Sequence, residues 1–199
     1  MFKLTVRGVA FSALFAALVV VFGFISIPLG FTPVPITLQT LAVMLAGGLL
    51  GATYGFFSMF MVVVLTAVGF PLLHGEGGIS VLLGPTAGYV WMWPIAAWLI
   101  GLCIQRLRTN GVVSILVIFL SMEVFGSLLL YVTGVPWLAY VANLSFSEAM
   151  VGGCYPYLLG DTVKAVAATI ITVSVRRQYP IQRLTGIEVS KRTRARALQ

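Results

Sequence analysis

The fold is decided by the stretch Ile36–Leu73, which reads ITLQTLAVMLAGGLLGATYGFFSMFMVVVLTAVGFPLL and has no charged residue. A single helix needs about 20 apolar residues to cross a bilayer, so this stretch is too long for one span and long enough for two. The glycines of Gly51-Ala-Thr-Tyr-Gly55 mark the break between them. Two consecutive membrane spans are therefore predicted here.

The composition of the whole chain also indicates a protein that lies in a lipid bilayer. Of its 199 residues, 60% are hydrophobic and 9% are charged, whereas about 25% are charged in a typical soluble domain. Such a chain is not a soluble globule, a disordered segment or a nucleic-acid-binding module. Its length leaves room for five to seven spans and for no second soluble domain.

Other apolar runs complete a set of six spans. The prolines of Pro28–Pro35 predict an extended or turning connection, the glycines of Pro71–Gly78 a loop, and Gly134–Tyr155 a longer connection with a short helix of its own. The predicted fold is an all-α polytopic membrane protein, with one domain over residues 1–177 and a basic cytoplasmic tail over 178–199. The four further spans are Val9–Ile27, Pro85–Ile104, Val112–Val132 and Leu158–Val175.

The basic residues give the topology. With six spans, eleven of the twelve lysines and arginines lie on one side of the membrane. Positive charge accumulates on cytoplasmic flanks, so both termini are predicted to be cytoplasmic. The tail is interpreted as a stop-transfer flank on an anionic leaflet, with an RNA- or lipid-binding arm as the alternative. Its last basic residues are Lys191, Arg192, Arg194 and Arg196.

Ionisable residues inside the spans mark the candidate site. Asp161 and Lys164 are spaced i, i+3 in the sixth span, so they share one helix face. The pair either neutralises itself or contacts a small polar ligand, and the second interpretation is favoured because buried ion pairs often fail to repay their desolvation. Glu123 has no basic residue at helical spacing within its span. It is expected to be protonated and hydrogen-bonded between helices, with a proton-relay role as the alternative.

Two further polar clusters lie at the predicted outer face. Thr37 and Gln39, in Pro33–Thr40, are placed either to bind a ligand or to cap the second helix. The segment His74–Tyr89 is rich in glycine, which permits close approach of the backbone to a ligand, and Pro85 is suited to starting the fourth helix.

Several chemistries lack support in the sequence. There is no Gly-x-Ser-x-Gly stretch, no P-loop and only one histidine, so neither hydrolysis nor ATP binding is expected. A metal site is not expected either. Cys103 is predicted on the inner side of the membrane and Cys154 on the outer side, so the two cysteines and His74 cannot form one set of metal ligands. A small intramembrane enzyme is therefore the weakest alternative.

Small residues form a row on the first helix, and four-residue spacing places them on one side. Such a row allows close helix packing in a membrane. Internal packing and docking of a partner subunit are equally open at this point. The row consists of Gly8, Ser12 and Ala16, with Ala13 and Ala17 beside it.

The segments Pro33–Thr40, Val81–Tyr89 and Gly160–Lys164, in this order and spacing, resemble the BioY family, the biotin-specific substrate-binding components of energy-coupling-factor (ECF) transporters. The resemblance implies high-affinity biotin binding near the outer surface, with Asp161 and Lys164 holding the ureido end. It also implies no cofactor, since biotin is the transported ligand. The remaining lining implied by the resemblance is Thr37, Gln39, Gly77, Gly78, Thr86 and Tyr89.

The resemblance also implies partners: a transmembrane coupling protein and two cytoplasmic ATPases, contacted through the small-residue face of the first helix. A stand-alone, ion-coupled transporter of biotin or a similar vitamin, with Glu123 as proton carrier, is the alternative function. Glu76 departs from the expected uncharged glycine loop, and it either repels an anionic ligand or faces water. The carboxylate of biotin lacks an outer cation other than Lys164, so backbone N–H groups or water are its expected partners.

Overall fold

The computed structural model describes residues 4–107 and 111–186. They form a helical bundle with one small hairpin of strands β1 (Ser26–Ile27) and β2 (Ile36–Thr37). A 3-10 turn covers Val81–Leu83, and a π-helical turn covers Val124–Leu128. The α-helices are α1 Val6–Phe24, α2 Gln39–Val68, α3 Ala87–Val90, α4 Trp93–Ile104, α5 Val112–Glu123, α6 Leu129–Ala142, α7 Phe146–Gly153, α8 Tyr155–Gln178 and α9 Ile181–Thr185.

Helix α2 contributes two spans because it is broken at Gly51. This residue has φ 76° and ψ −175°, a conformation outside the helical region that glycine adopts without a steric penalty. The two halves then lie against each other: a Cβ on Gly55 would be 3.1 Å from the carbonyl oxygen of Ala46. The predicted break is confirmed. The six spans are α1, the two halves of α2, α3 with α4, α5 with α6, and α8.

The proline-rich connection after α1 turns back on itself, one of the two predicted forms, and is closed by the strand hairpin. Ser26 pairs with Thr37 and Ile27 with Ile36 in antiparallel register. The bundle is therefore helical apart from these two short strands. Helix α1 itself starts at Val6, three residues before the predicted Val9, because the Thr5 side chain accepts a hydrogen bond from the Gly8 N–H and caps it.

The fifth span is longer than predicted. The helix continues through the π-helical turn and α6 to Ala142, past the predicted end at Val132. Pro136 lies inside α6 rather than ending it. Proline is tolerated there because neighbouring groups in a membrane bundle can satisfy the freed backbone carbonyl. The connection that follows is correspondingly shorter and holds the expected short helix, α7.

The first and last parts of the described chain meet at one end of the bundle. The Thr5 hydroxyl donates to the Thr185 carbonyl, and the Thr5 N–H donates to the Tyr54 hydroxyl at 2.8 Å. At the same end, the Arg176 guanidinium donates to the carbonyl oxygens that end α4, at 2.8 Å for Ile104. Arg7 and Arg183 also lie at this end, where the Arg7 guanidinium donates to the Arg183 carbonyl, which fits the predicted cytoplasmic placement of this end. Lys3, Arg108 and the basic residues of 187–199 lie outside the described residues.

The beginning of the predicted tail packs on the bundle. Thr185 in α9 is fully buried, and Ile181 lies beside the break at Gly51. Residues 178–186 are thus part of the packed structure, and the rest of the predicted tail lies outside the described residues.

The small-residue row of α1 is divided between two environments. Gly8 packs on the Tyr54 ring, and the Ser12 hydroxyl donates to the Tyr54 carbonyl at 3.1 Å. Gly8, Ser12 and Ala16 are buried, so the expectation that they form a docking face is corrected to internal packing against α2. Ala13 and Ala17, beside this row, are exposed.

Candidate ligand-binding site

A cavity opens at the end of the bundle opposite the termini. Its walls come from the connection after α1, the start of α2, the loop after α2, the start of the fourth span, α6 and the start of α8. The empty space, including the part open to solvent, is about 660 Å³. Of the residues predicted for the site, the cavity brings together Thr37, Gln39, Thr86, Tyr89, Asp161 and Lys164.

The buried ion pair lies at the inner end of the cavity. Lys164 Nζ is 2.7 Å from Asp161 Oδ1, and the two side chains are 10% and 6% exposed. The Thr40 hydroxyl donates to Asp161 Oδ1 at 3.3 Å and accepts from Lys164 Nζ at 3.1 Å. The Tyr131 hydroxyl donates to the other carboxylate oxygen at 2.5 Å. Three helices therefore hold the pair in place.

These contacts leave part of the hydrogen-bonding capacity of the pair available. An ammonium has three N–H donors, and Lys164 uses two of them on Asp161 and Thr40. A carboxylate has about four acceptor sites, and three are occupied by Lys164, Thr40 and Tyr131. One donor and one acceptor thus remain side by side for a ligand. This arrangement is complementary to a group that carries both an N–H and a carbonyl.

Tyrosine rings form part of the cavity wall, with their hydroxyls bonded to the backbone. The Tyr89 hydroxyl donates to the Gly153 carbonyl at 2.8 Å, and the Tyr157 hydroxyl donates to the Val34 carbonyl at 2.5 Å. Tyr89 and Tyr131 pack edge to face, with ring centroids 6.3 Å apart. Because these hydroxyls have backbone partners, the rings offer apolar surface to a ligand.

Trp93 lines the same cavity and has a buried polar group without a partner. Its side chain is 4% exposed, and its indole N–H has no hydrogen-bond partner among the described residues. A buried donor without an acceptor is costly, so this N–H is suited to a ligand acceptor. The Gln39 amide nitrogen is also without a partner in the described structure, but it faces Gly23 of α1, where a Cβ would be 2.8 Å away.

Thr37 joins the binding wall and the start of α2. Its hydroxyl accepts from the Gln39 N–H and lies 3.3 Å from Gln39 Oε1, to which it donates. Thr37 therefore lines the cavity and also bonds to the first residue of α2.

Gly77 and Gly78 do not line the cavity, contrary to expectation. A Cβ on Gly77 would collide with the Phe70 carbonyl. Gly78 has φ 94°, and its N–H donates to the Thr66 carbonyl at 2.7 Å. Both glycines fold the loop against the end of α2 instead of facing a ligand.

Sequence reasoning missed several wall residues. Thr40 closes the quoted segment Pro33–Thr40, and its distance of one helical turn from Thr37 was the available signal. Tyr131 and Trp93 lie in apolar helices, where an aromatic residue is indistinguishable from ordinary packing. His74 was considered only as a metal ligand, yet it lies at the cavity.

Glu123 lies outside the cavity lining, on the outer side of the contact between α5 and α8. The Thr162 hydroxyl donates to Glu123 Oε1 at 3.0 Å, and the π-helical turn starts at the next residue, Val124. Glu123 Oε2 is buried and has no partner among the described residues. Glu123 therefore connects α5 to α8 through Thr162, the residue that follows Asp161 in the chain.

The described residues contain no group of three or more histidine, cysteine, aspartate or glutamate side chains placed to hold a metal ion. Cys103 is exposed, whereas Cys154 is buried.

A six-span helical bundle with a polar pair at the inner end of a cavity defines a membrane-embedded binding protein for a small polar solute. The sequence assigns the chain more closely, because the model of the BioY family matches residues 1–181. The chain belongs to that family.

Named relatives cover nearly the same length. The "Biotin transporter BioY" of Rhizobium etli is 39% identical over 183 residues, which span 89% of this chain and 97% of the relative. The "Probable biotin transporter BioY" of Bacillus subtilis is 41% identical, over 82% of this chain and 87% of the relative. A solved structure, described as the S-component for biotin from an ECF-type ABC transporter, superposes with a TM-score of 0.82 at 31% identity, covering 90% of this chain and 96% of that one.

Proposed function

We propose that this chain binds biotin and delivers it across the cytoplasmic membrane as the substrate-capture subunit of an ECF-type ABC transporter. The observation that carries the proposal is the pair of Asp161 and Lys164, which presents one acceptor and one donor at the inner end of the cavity. The ureido group of biotin has N–H donors beside a carbonyl acceptor. Its N–H bonds to Asp161 and its carbonyl accepts from Lys164.

The bicyclic ring of biotin is largely apolar around the ureido group. Tyr89 and Tyr131 surround the ion pair with ring faces and edges, which matches that character. The indole N–H of Trp93 supplies one more donor for a ligand acceptor. Binding thus combines apolar burial with a few polar contacts that fix orientation.

Energy for transport comes from partner subunits in this proposal. The sequence has no P-loop, so a transmembrane coupling protein and two cytoplasmic ATPases supply ATP hydrolysis, and the chain itself is not an enzyme. The exposed side of α1 at Ala13 and Ala17 is the proposed contact with the coupling protein, because small residues permit close helix approach. The lipid bilayer of the bacterial inner membrane surrounds the subunit. Biotin is its cargo, with no cofactor or nucleic acid involved.

A second candidate is ion-coupled transport by the chain alone. The observation that favours it is Glu123, whose buried Oε2 has no partner among the described residues. In this case uptake collapses with an uncoupler and needs no ATPase. Under the main proposal, uptake stops when ATP hydrolysis by the partners is blocked.

The test is purification of the protein in detergent from cells supplied with biotin. Native mass spectrometry should find biotin bound at one molecule per chain, and coexpressed coupling protein and ATPases should copurify. Calorimetry on the stripped protein should then give tight binding of biotin and no binding of thiamine, a vitamin without a ureido group. Absence of biotin binding to the folded protein refutes the proposal.

A further inference from the structure

The loop after α2 makes a two-residue turn that presents an imidazole to the cavity. The Leu73 N–H donates to the Glu76 carbonyl at 3.1 Å and the Glu76 N–H donates to the Leu73 carbonyl at 2.9 Å. Between them, His74 has φ 56° and Gly75 has φ 82°, the signs of a type I′ turn. Leu73 is buried and anchors the turn, so the position of His74 is defined by the backbone.

His74 lies between the inner cavity and the solvent. It lines the cavity that holds the ion pair, and it also lines the adjoining pocket with Glu76 and Ser80 on the outer side. Lys164 lines only the inner cavity. A ligand whose one end contacts Lys164 therefore extends past His74 on its way to solvent. His74 is exposed, and its imidazole makes no side-chain hydrogen bond to another described residue.

The charges of the site leave His74 as the candidate partner for an anionic tail. The described arginines lie near the end of the bundle with Thr5 and Thr185, and Lys164 donates to Asp161 and Thr40 and keeps one N–H for the ureido end of the ligand. The ionisable groups that share the two pockets with the imidazole are Glu76, Tyr89, Tyr131, Tyr157, Asp161 and Lys164. Lys164, the one cation among them, is at the inner end.

We propose that His74 is a specificity-determining residue, whose imidazolium binds the free carboxylate of the ligand at the mouth of the cavity. The inference rests on the proposed function, because it takes the ureido end of biotin to be at Asp161 and Lys164. The valeryl chain then runs outward and places its carboxylate at the turn. The bound imidazole discriminates biotin from analogues that have an uncharged tail.

The proposal predicts a pH-dependent affinity with a definite sign. Partial burial lowers the pKa of His74 in the empty protein, and Glu76 opposes this shift. A bound carboxylate favours the protonated imidazole, so binding takes up a proton and the affinity for biotin increases as the pH falls. The carboxylate of biotin stays ionised between pH 8 and pH 6, since ordinary carboxyl groups titrate near pH 4.

The experiment compares biotin with biotinamide, whose tail is uncharged, on the complete detergent-purified protein at pH 8 and pH 6. Biotin should bind about two- to fivefold more tightly at pH 6, the range of a solvent-exposed ion pair. Biotinamide should show no such increase. The variant His74→Asn, whose side chain tolerates positive φ, should lose the increase for biotin while binding biotinamide as the native protein does. The companion variant Glu76→Gln should keep the increase, because His74 is still present to bind the carboxylate of biotin; loss of the increase in this variant would contradict the role of His74.

The outcomes distinguish a failure of the role of His74 from a failure of the proposed biotin binding. If biotin and biotinamide bind equally at both pH values, or if His74→Asn keeps the pH dependence, the role of His74 is refuted while biotin binding stands. If neither compound binds the folded native protein, the proposed function fails and this inference fails with it. Unchanged binding of biotinamide by His74→Asn shows that the turn and the inner cavity are intact.

Discussion

Replacement of the buried ion pair separates its structural role from its binding role. We consider Lys164→Met and Asp161→Leu singly and together. Each single variant leaves one buried charge without its partner, which costs about 3–5 kcal/mol in the free energy of unfolding. The double variant removes both charges and fills the space with apolar atoms, so it should regain most of this loss and unfold near the native temperature.

Binding should follow a different pattern from stability. A hydrogen bond to a charged group contributes about 1.5–3 kcal/mol, which corresponds to about a 10- to 150-fold change in Kd. The native pair has one donor and one acceptor available for the ligand, so each single variant should lose at least one such contact. The double variant loses both contacts, and its affinity for biotin should fall by at least about 100-fold.

The assays are thermal unfolding in detergent and calorimetric titration with biotin. Thr172→Val is the matched control, because Thr172 is buried on the same helix, toward the cytoplasmic end and away from the cavity. Its hydroxyl has no partner among the described residues, so the control should keep both stability and affinity. A double variant that binds biotin within about threefold of the native protein would refute the reasoning, since the pair would then be purely structural.

Three further variants test other parts of the structure. Trp93→Phe removes an unpartnered N–H and should weaken biotin binding about two- to twelvefold, the value of a neutral hydrogen bond. The smaller ring leaves a cavity in the core, so the unfolding temperature should also fall; unchanged affinity of the folded variant in calorimetry would exclude contact with the ligand. Gly8→Ala should cost about 1–3 kcal/mol through overlap with Tyr54, whereas Ala13→Leu should leave thermal unfolding unchanged and reduce ATP-dependent uptake; normal uptake would contradict docking there. Gly51→Ala should cost about 1–3 kcal/mol, because φ 76° with ψ −175° is a backbone conformation essentially confined to glycine; biotin affinity should be unchanged, and equal thermal stability would contradict the strain argument.

The membrane spans could be predicted from sequence because the bilayer imposes a simple rule on composition. A run without charge must be long enough to cross about 30 Å, and the run at Ile36–Leu73 is long enough to cross it twice. The break at Gly51 was predictable for a local reason, since glycine favours the backbone conformation that reverses the helix.

The end of the fifth span could not be predicted in the same way. Gly134 and Pro136 are breakers by local propensity, yet α6 passes through both. A Cβ on Gly134 would collide with the Tyr89 ring, so this glycine permits close packing of α6 against the fourth span. Tertiary packing therefore overrides the local signal.

In the candidate site, too, some residues could be predicted from the sequence and others could not. Asp161 and Lys164 stand out in the sequence because charge is rare in lipid and must have a reason. Tyr131 and Thr40, which complete their hydrogen bonds, come from other helices, 30 and 121 residues away from Asp161. Nothing in their local sequence indicates that they meet.

By itself, the sequence determined the six spans, their orientation and the ion pair, because the bilayer penalises charge residue by residue. The tertiary structure decided how the site is built. It buried Gly8, Ser12 and Ala16 inside the bundle, turned Gly77 and Gly78 away from the cavity and brought Trp93 to it. These outcomes depend on which helix faces meet, and in a membrane that is set by shape and hydrogen bonding between helices that are apolar on every side.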